Sequence, residues 1–232
     1  MNKYIKLSFV AIISCLFLIF FIFNDFDSEK EAFTDDEEIN KNNVQNEDIE
    51  IKDLLLPLEY SERRITPISH VILHFTSNVT ENPQNPYQIE DIYNVFTNYG
   101  VSTHYMIDRE GLIYKLVSEN RVAYHAGTGS LLDNPAYKDK LNDYSIGIEL
   151  LAIGTKEEMG PFIDEETYDS LTPSFIGYTD PQYESLTRLL DSIHERHPDV
   201  ERNKEHVIGH DEYAPERKSD PGSLFDWGRI GY

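Results

Sequence analysis

Cysteine is almost absent. Cys15 is the only one in 232 residues, which excludes an intramolecular disulfide and any zinc finger built from several thiolates. Basic residues are scarce too: 20 Lys and Arg stand against 42 Asp and Glu, a formal charge of −22. That balance excludes a nucleic-acid partner, because neutralising phosphates needs clustered Lys and Arg. No internal repeat is present, and neither is His-Glu-x-x-His. His194-Glu195-Arg196-His197 sets its histidines at i and i+3, whereas two ligands share a helix face at i and i+4. Those two histidines read as surface residues near a helix end, where cations suit the dipole. What remains is apolar enough, at 40% hydrophobic and 12% aromatic, to build a core.

The chain divides into three unlike segments. Residues 1–23 carry Lys3 and Lys6 ahead of an apolar run over 7–23. This run is near the lower length limit for a membrane-spanning helix and long for a signal peptide. No Ala-x-Ala cleavage pattern follows it. The flanking lysines predict a single-pass anchor with the rest of the chain outside the cytoplasm. A cleaved signal leading to a secreted form is the alternative, as is a lipoprotein, since Ile12-Ile13-Ser14-Cys15 resembles a lipobox. Residues 24–60 hold 13 acidic residues against three lysines and read as an acidic, disordered linker. Residues 61–232 fit one globular domain.

Within that domain, Val71-Ile72-Leu73-His74-Phe75 reads as a buried strand. Ile89, Ile92, Tyr93 and Phe96 follow helical spacing and stop at Gly100. Residues 103–107 and 112–117 form a hairpin around Asp108-Arg109-Glu110-Gly111, residues 122–124 a short strand, and residues 145–151 the strongest central strand. Thr179-Asp180-Pro181 opens a helix with Leu186, Leu189, Leu190 and Ile193 on its apolar face, and Val207-Ile208 is a last short strand. The fold class expected is α/β: a single domain with a central mixed β-sheet flanked by helices, preceded by a membrane segment and a linker. Residues 154–178 show no clear period yet hold Met159, Phe162, Tyr168, Leu171 and Phe175. They are expected either to wall a substrate groove or to pack on the helix 182–197.

His74 and His210 both end apolar strands, and strand-end histidines of one sheet can converge on a point. Asp220, ten residues after His210 and followed by Pro221, offers a third ligand. Two histidines and a carboxylate leave the fourth position of a tetrahedral zinc open, as catalytic sites do. Such zinc brings the pKa of water to about 7. Glu149 closes the run Ile146-Gly147-Ile148; it is either a general base or a residue on a solvated face. Lys218 is placed to steady an oxyanion if its segment is extended.

The strand end VILHFT, the hairpin STHYMIDREGLIYKLV, AYHAGTG, NDYSIGIE and GHDEYAPERKSDPGSLFDW together resemble the zinc-dependent N-acetylmuramoyl-L-alanine amidases. Phage amidase-type lysozymes and peptidoglycan recognition proteins share that superfamily. The resemblance covers about residues 67–227. It implies His74, His210 and Asp220 as zinc ligands, Glu149 as general base and Lys218 as oxyanion stabiliser. It also implies cleavage of the amide between N-acetylmuramic acid and the L-alanine of the stem peptide. Peptidoglycan or muropeptides would be the partner, a membrane would be met through residues 7–23, and the chain would act as a monomer. Some relatives carry a catalytic tyrosine where this chain has Thr103, which moves the burden to Glu149. His125 is either a substrate contact or a loop hydrogen bond, and Arg217 either binds a substrate carboxylate or anchors its loop. A non-catalytic peptidoglycan-binding module is the alternative; such proteins lose a metal ligand, and Asp220 is present.

Overall fold

A computed structural model describes residues 49–132 and 134–232. The expected anchor and most of the acidic linker lie outside these residues. Among the described residues no helix is long and apolar enough to cross a membrane.

Among the described residues eight strands form: β1 (Ile51–Asp53), β2 (Ser61–Arg63), β3 (His70–Thr76), β4 (Tyr105–Ile107), β5 (Ile113–Lys115), β6 (Arg121–Ala123), β7 (Ser145–Leu151) and β8 (Val207–Gly209). Six make a mixed sheet in the order β1-β5-β4-β7-β3-β8. Strands β4, β7, β3 and β8 run parallel, while β5 returns antiparallel to β4 through the hairpin. The parallel centre is the part that must be covered on both faces, and β3 and β7 are accordingly apolar along most of their length.

Helix α1 (Ile89–Tyr99) and the short helices α2 (Leu141–Tyr144) and α6 (His210–Tyr213) lie on one face; the long α5 (Asp180–Arg196) covers the other. Helix α5 begins in a capping box, with the Thr179 side chain and Gln182 each accepting the other's backbone N–H. Its Leu186, Leu189, Leu190 and Ile193 pack on Leu73, Ile146 and Ile148, each contributing roughly 1.5–3 kcal/mol by leaving water. Ile72 and Met106 point the opposite way, to the α6 and α1 side. Pairing of His74 with Glu149 across β3 and β7 sets those two side chains next to each other on that second face.

Two expectations, the start of the domain and the surface placement of His194 and His197, are corrected. The domain begins earlier than residue 61: β1 adds a parallel strand to β5, and Leu56 is buried. The acidic count of 24–60 masked the alternation of Ile49, Ile51, Leu54 and Leu56, which pack on the sheet. Strand β6, expected as a short strand, pairs with β2 in a separate two-stranded ribbon. Residues 154–178 contain α3 (Lys156–Met159) and α4 (Glu165–Asp169). Met159, Ile163, Tyr168, Leu171 and Phe175 pack with Phe75, Val79 and Tyr87 near the end of β3, while Tyr178 packs against Tyr183 of α5. His194 is buried, not a surface residue, with Nδ1 on the Val200 carbonyl and Nε2 on the Tyr232 hydroxyl. His197 is half-buried against Glu119.

Candidate metal centre

His74 sits near the end of β3 and His210 follows β8 as the first residue of α6. Because β3 and β8 are paired neighbours, the two rings meet edge to face with centroids 4.5 Å apart. Asp220 arrives from an irregular stretch and places Oδ2 at 2.7 Å from His74 Nδ1 and 3.0 Å from His210 Nδ1. All three residues are buried, and their ligand atoms lie within 4.8 Å of one another.

The hydrogen bonds behind the rings decide which atoms face the cluster. His210 Nε2 is 2.9 Å from the Ala126 carbonyl. A carbonyl only accepts, so Nε2 carries the proton and Nδ1 of the neutral ring is a bare lone pair. For His74 the same conclusion comes through a relay. The Ser145 hydroxyl donates to the Leu141 carbonyl at 2.6 Å. It therefore accepts from His125 Nε2, 3.2 Å away. His125 Nδ1 then accepts from His74 Nε2 at 3.0 Å, which leaves His74 Nδ1 bare. Burial, reinforced by the neighbouring histidines, pushes His74 down to about 4 and His125 well below the usual imidazole range, so neutral rings are the forms at pH 7. With Nε2 of each ring engaged as a donor, both Nδ1 atoms turn toward the Asp220 carboxylate, an arrangement that a cation among them would satisfy. The donor set, two imidazoles and one carboxylate, suits zinc.

Glu149 stands beside this cluster. Its Oε2 is shut off from solvent and has no hydrogen-bond partner, which is costly for a carboxylate without a function. Burial, with the charge of Asp220 adding to it and that of Lys218 opposing it, pushes the Glu149 carboxyl up to about 8. Lys218 is exposed; its backbone N–H donates to the Ala214 carbonyl at 2.9 Å, and its charge acts on both Glu149 and His74.

His125 is part of the support of His74, and its backbone N–H and that of Ala126 donate to Asn142 Oδ1 at 3.0 and 2.7 Å. Gly147 makes room for its ring: a Cβ there would lie 2.6 Å from the His125 Cγ. Arg217 spends Nη2 on the carbonyls of Ala126 and Thr128, at 2.8 and 2.7 Å, the loop-anchoring arrangement. Thr103 is buried with its hydroxyl on the Tyr105 carbonyl, and Tyr105 packs on the α5 face, away from the cluster. Sequence reasoning missed Ser145 as the end of the relay; a serine opening a buried strand was the available signal. It also missed the residues that hold Asp220, described below.

A mixed α/β sheet with three converging metal donors and a further buried carboxylate defines a metal-site domain of the α/β class. The chain belongs to the N-acetylmuramoyl-L-alanine amidase family (Amidase_2), whose match covers residues 64–223. Among curated proteins it is similar to the 1,6-anhydro-N-acetylmuramyl-L-alanine amidase AmpD of Citrobacter freundii, 35% identical over 130 residues, 56% of this chain and 55% of that protein. It is also similar to the N-acetylmuramoyl-L-alanine amidase AmiD of Escherichia coli K12, 27% identical over 170 residues, 70% of this chain and 52% of that protein. The chain thus spans about half the length of these relatives. Among solved structures, a selenomethionine derivative of AmpD superposes with a TM-score of 0.56 at 28% identity, covering 76% of this chain and 90% of the other. E. coli AmiD in complex with the substrate anhydro-N-acetylmuramic acid-L-Ala-D-γ-Glu-L-Lys gives 0.53 at 26% identity, covering 73% and 59%.

Proposed function

We propose that this protein is a zinc-dependent N-acetylmuramoyl-L-alanine amidase, hydrolysing the amide between the lactyl group of N-acetylmuramic acid and the L-alanine of a stem peptide. The observation that carries this reading is the buried, unpartnered Glu149 Oε2 next to three converging metal donors. Zinc held by His74 Nδ1, His210 Nδ1 and Asp220 Oδ2 would polarise the amide carbonyl and lower the pKa of water.

The rest is done by the chain. Glu149 Oε2 takes a proton from the attacking water and passes it to the leaving nitrogen. Burial raises its hold on a proton, which suits a group that must take one and then give it up. Lys218 brings positive charge to the oxygen on which negative charge develops. His125 and Ser145 keep His74 in the tautomer that turns Nδ1 inward.

AmpD is named for an anhydromuramyl substrate and AmiD was solved with an anhydromuramyl tripeptide, which makes anhydromuropeptides the first substrates to offer beside intact wall. Export through residues 7–23, with the domain held outside the cytoplasm, is part of the same proposal and fits an extracytoplasmic wall. Full-length protein incubated with sacculi and with soluble muropeptides should release free stem peptides, identified by mass. A chelator should abolish the release and zinc restore it. Asp220→Ala should stay folded, lose zinc and lose activity; an Asp220→Ala protein with full zinc and full turnover would sink the ligand assignment.

A further inference from the structure

His74 and His210 ride on paired strands, but Asp220 does not. It lies in the stretch 214–226, which contains no helix or strand, so its position must be imposed from elsewhere. One restraint is local: the Asp211 N–H of α6 donates to the Asp220 carbonyl at 2.9 Å. The others come from residues 154–178. The Tyr178 hydroxyl donates to the Pro221 carbonyl at 2.6 Å. The Ser223 N–H donates to Glu158 Oε1 at 2.7 Å, while Glu158 Oε2 accepts from the Thr155 N–H at 2.7 Å. Between these two grips, Gly222 adopts φ +79°, and a Cβ there would lie 2.9 Å from Glu158 Oε1. The strap therefore closes directly onto the carboxylate.

Both grips are themselves anchored. Tyr178 packs against Tyr183 of α5, with ring centroids 5.9 Å apart, and stands edge-on to Phe225 of the strap at 5.1 Å. Glu158 belongs to α3, whose Met159 packs in the apolar group with Val79, Ile153 and Phe75. Phe75 is the residue after His74. One segment thus rests on the strand end that carries the first ligand and holds the strap that carries the third.

We propose that residues 154–178 are a clamp on the metal centre, with Glu158 and Tyr178 as positioning residues that hold Asp220 in place and set how tightly and how long the metal is kept. This rests on the ligand assignment above. Groups that orient metal ligands are worth about 10–100-fold in metal affinity. The test uses full-length protein and zinc alone. Glu158→Gln, which keeps one acceptor, and Tyr178→Phe, which removes only the hydroxyl, are compared with the parent and with Lys156→Ala. Lys156 lies in the same helix and makes only exposed ion pairs with Glu165 and Asp169.

Zinc affinity by chelator competition and the rate of zinc loss into excess chelator are read well below the unfolding temperature. Metal-free thermal unfolding is recorded alongside. Each clamp variant should lose about tenfold in affinity and release zinc faster, and the double variant about 100-fold. Metal-free unfolding should be little changed, and Lys156→Ala should match the parent. Folded variants that hold zinc within twofold of the parent, or a loss equalled by Lys156→Ala, overturn the clamp while leaving the ligands standing. A parent that takes up no zinc overturns the ligand assignment and the clamp with it.

Discussion

A neutral imidazole has one proton, and the position of that proton decides what the ring can do. Here the position is settled several atoms away. The Leu141 carbonyl orients the Ser145 hydroxyl, and the effect passes through His125 to His74. Glu149 is the opposite case, a carboxylate oxygen left without any partner. Replacing it by Gln keeps the shape and removes the ability to accept a proton. Glu149→Gln should retain zinc content and lose about 10²–10⁴-fold in turnover on a muropeptide. A loss below about tenfold would make Glu149 a structural residue.

At the scale of elements, Glu119 joins the end of the β4–β5 hairpin to the C-terminal end of α5. It accepts from the Tyr105 hydroxyl, Arg196 and His197, each at 2.7 Å. Burial alone would raise its carboxyl, but those donors outweigh it and bring it from 4.5 to about 2. A carboxyl depressed by folding stabilises the native state above its unfolded pKa. Its contribution is complete above about pH 4.5 and is lost as the pH falls toward 2. Glu119→Gln should therefore unfold more easily at neutral pH, by roughly 1.5–3 kcal/mol, and show a flatter loss of stability between pH 4.5 and 2. Denaturant titrations across that range check it, and parallel acid limbs would reject the ion cluster as a stabiliser. The same network half-buries His197 against Glu119.

At the scale of the whole molecule, the described domain begins by residue 49, with β1 at the edge of the sheet. The anchor reading predicts that full-length protein stays with membranes through a high-salt wash. It also predicts that protease added outside wall-stripped cells releases the domain. A soluble form beginning near residue 24 would instead mean signal cleavage, and fatty-acid labelling that depends on Cys15 would mean a lipoprotein.

The amino-acid sequence by itself determined the strands β3 and β7, the hairpin, α1, α5 and the placing of His74 and His210 at strand ends. Each of these is written in a local signal: apolar runs, helical spacing, capping residues, or a polar side chain closing a buried strand. Local signals fail where the partner is far along the chain. Ser223 meets Glu158 across 65 residues and Pro221 meets Tyr178 across 43, so neither grip leaves a mark in the pattern around it. Residues 154–178 looked aperiodic because their short helices are held by capping and by a shared apolar cluster rather than by an amphipathic face of their own. Only the tertiary structure decided where that segment goes, which nitrogen of His74 turns inward and what holds Asp220, because each depends on groups brought together by folding.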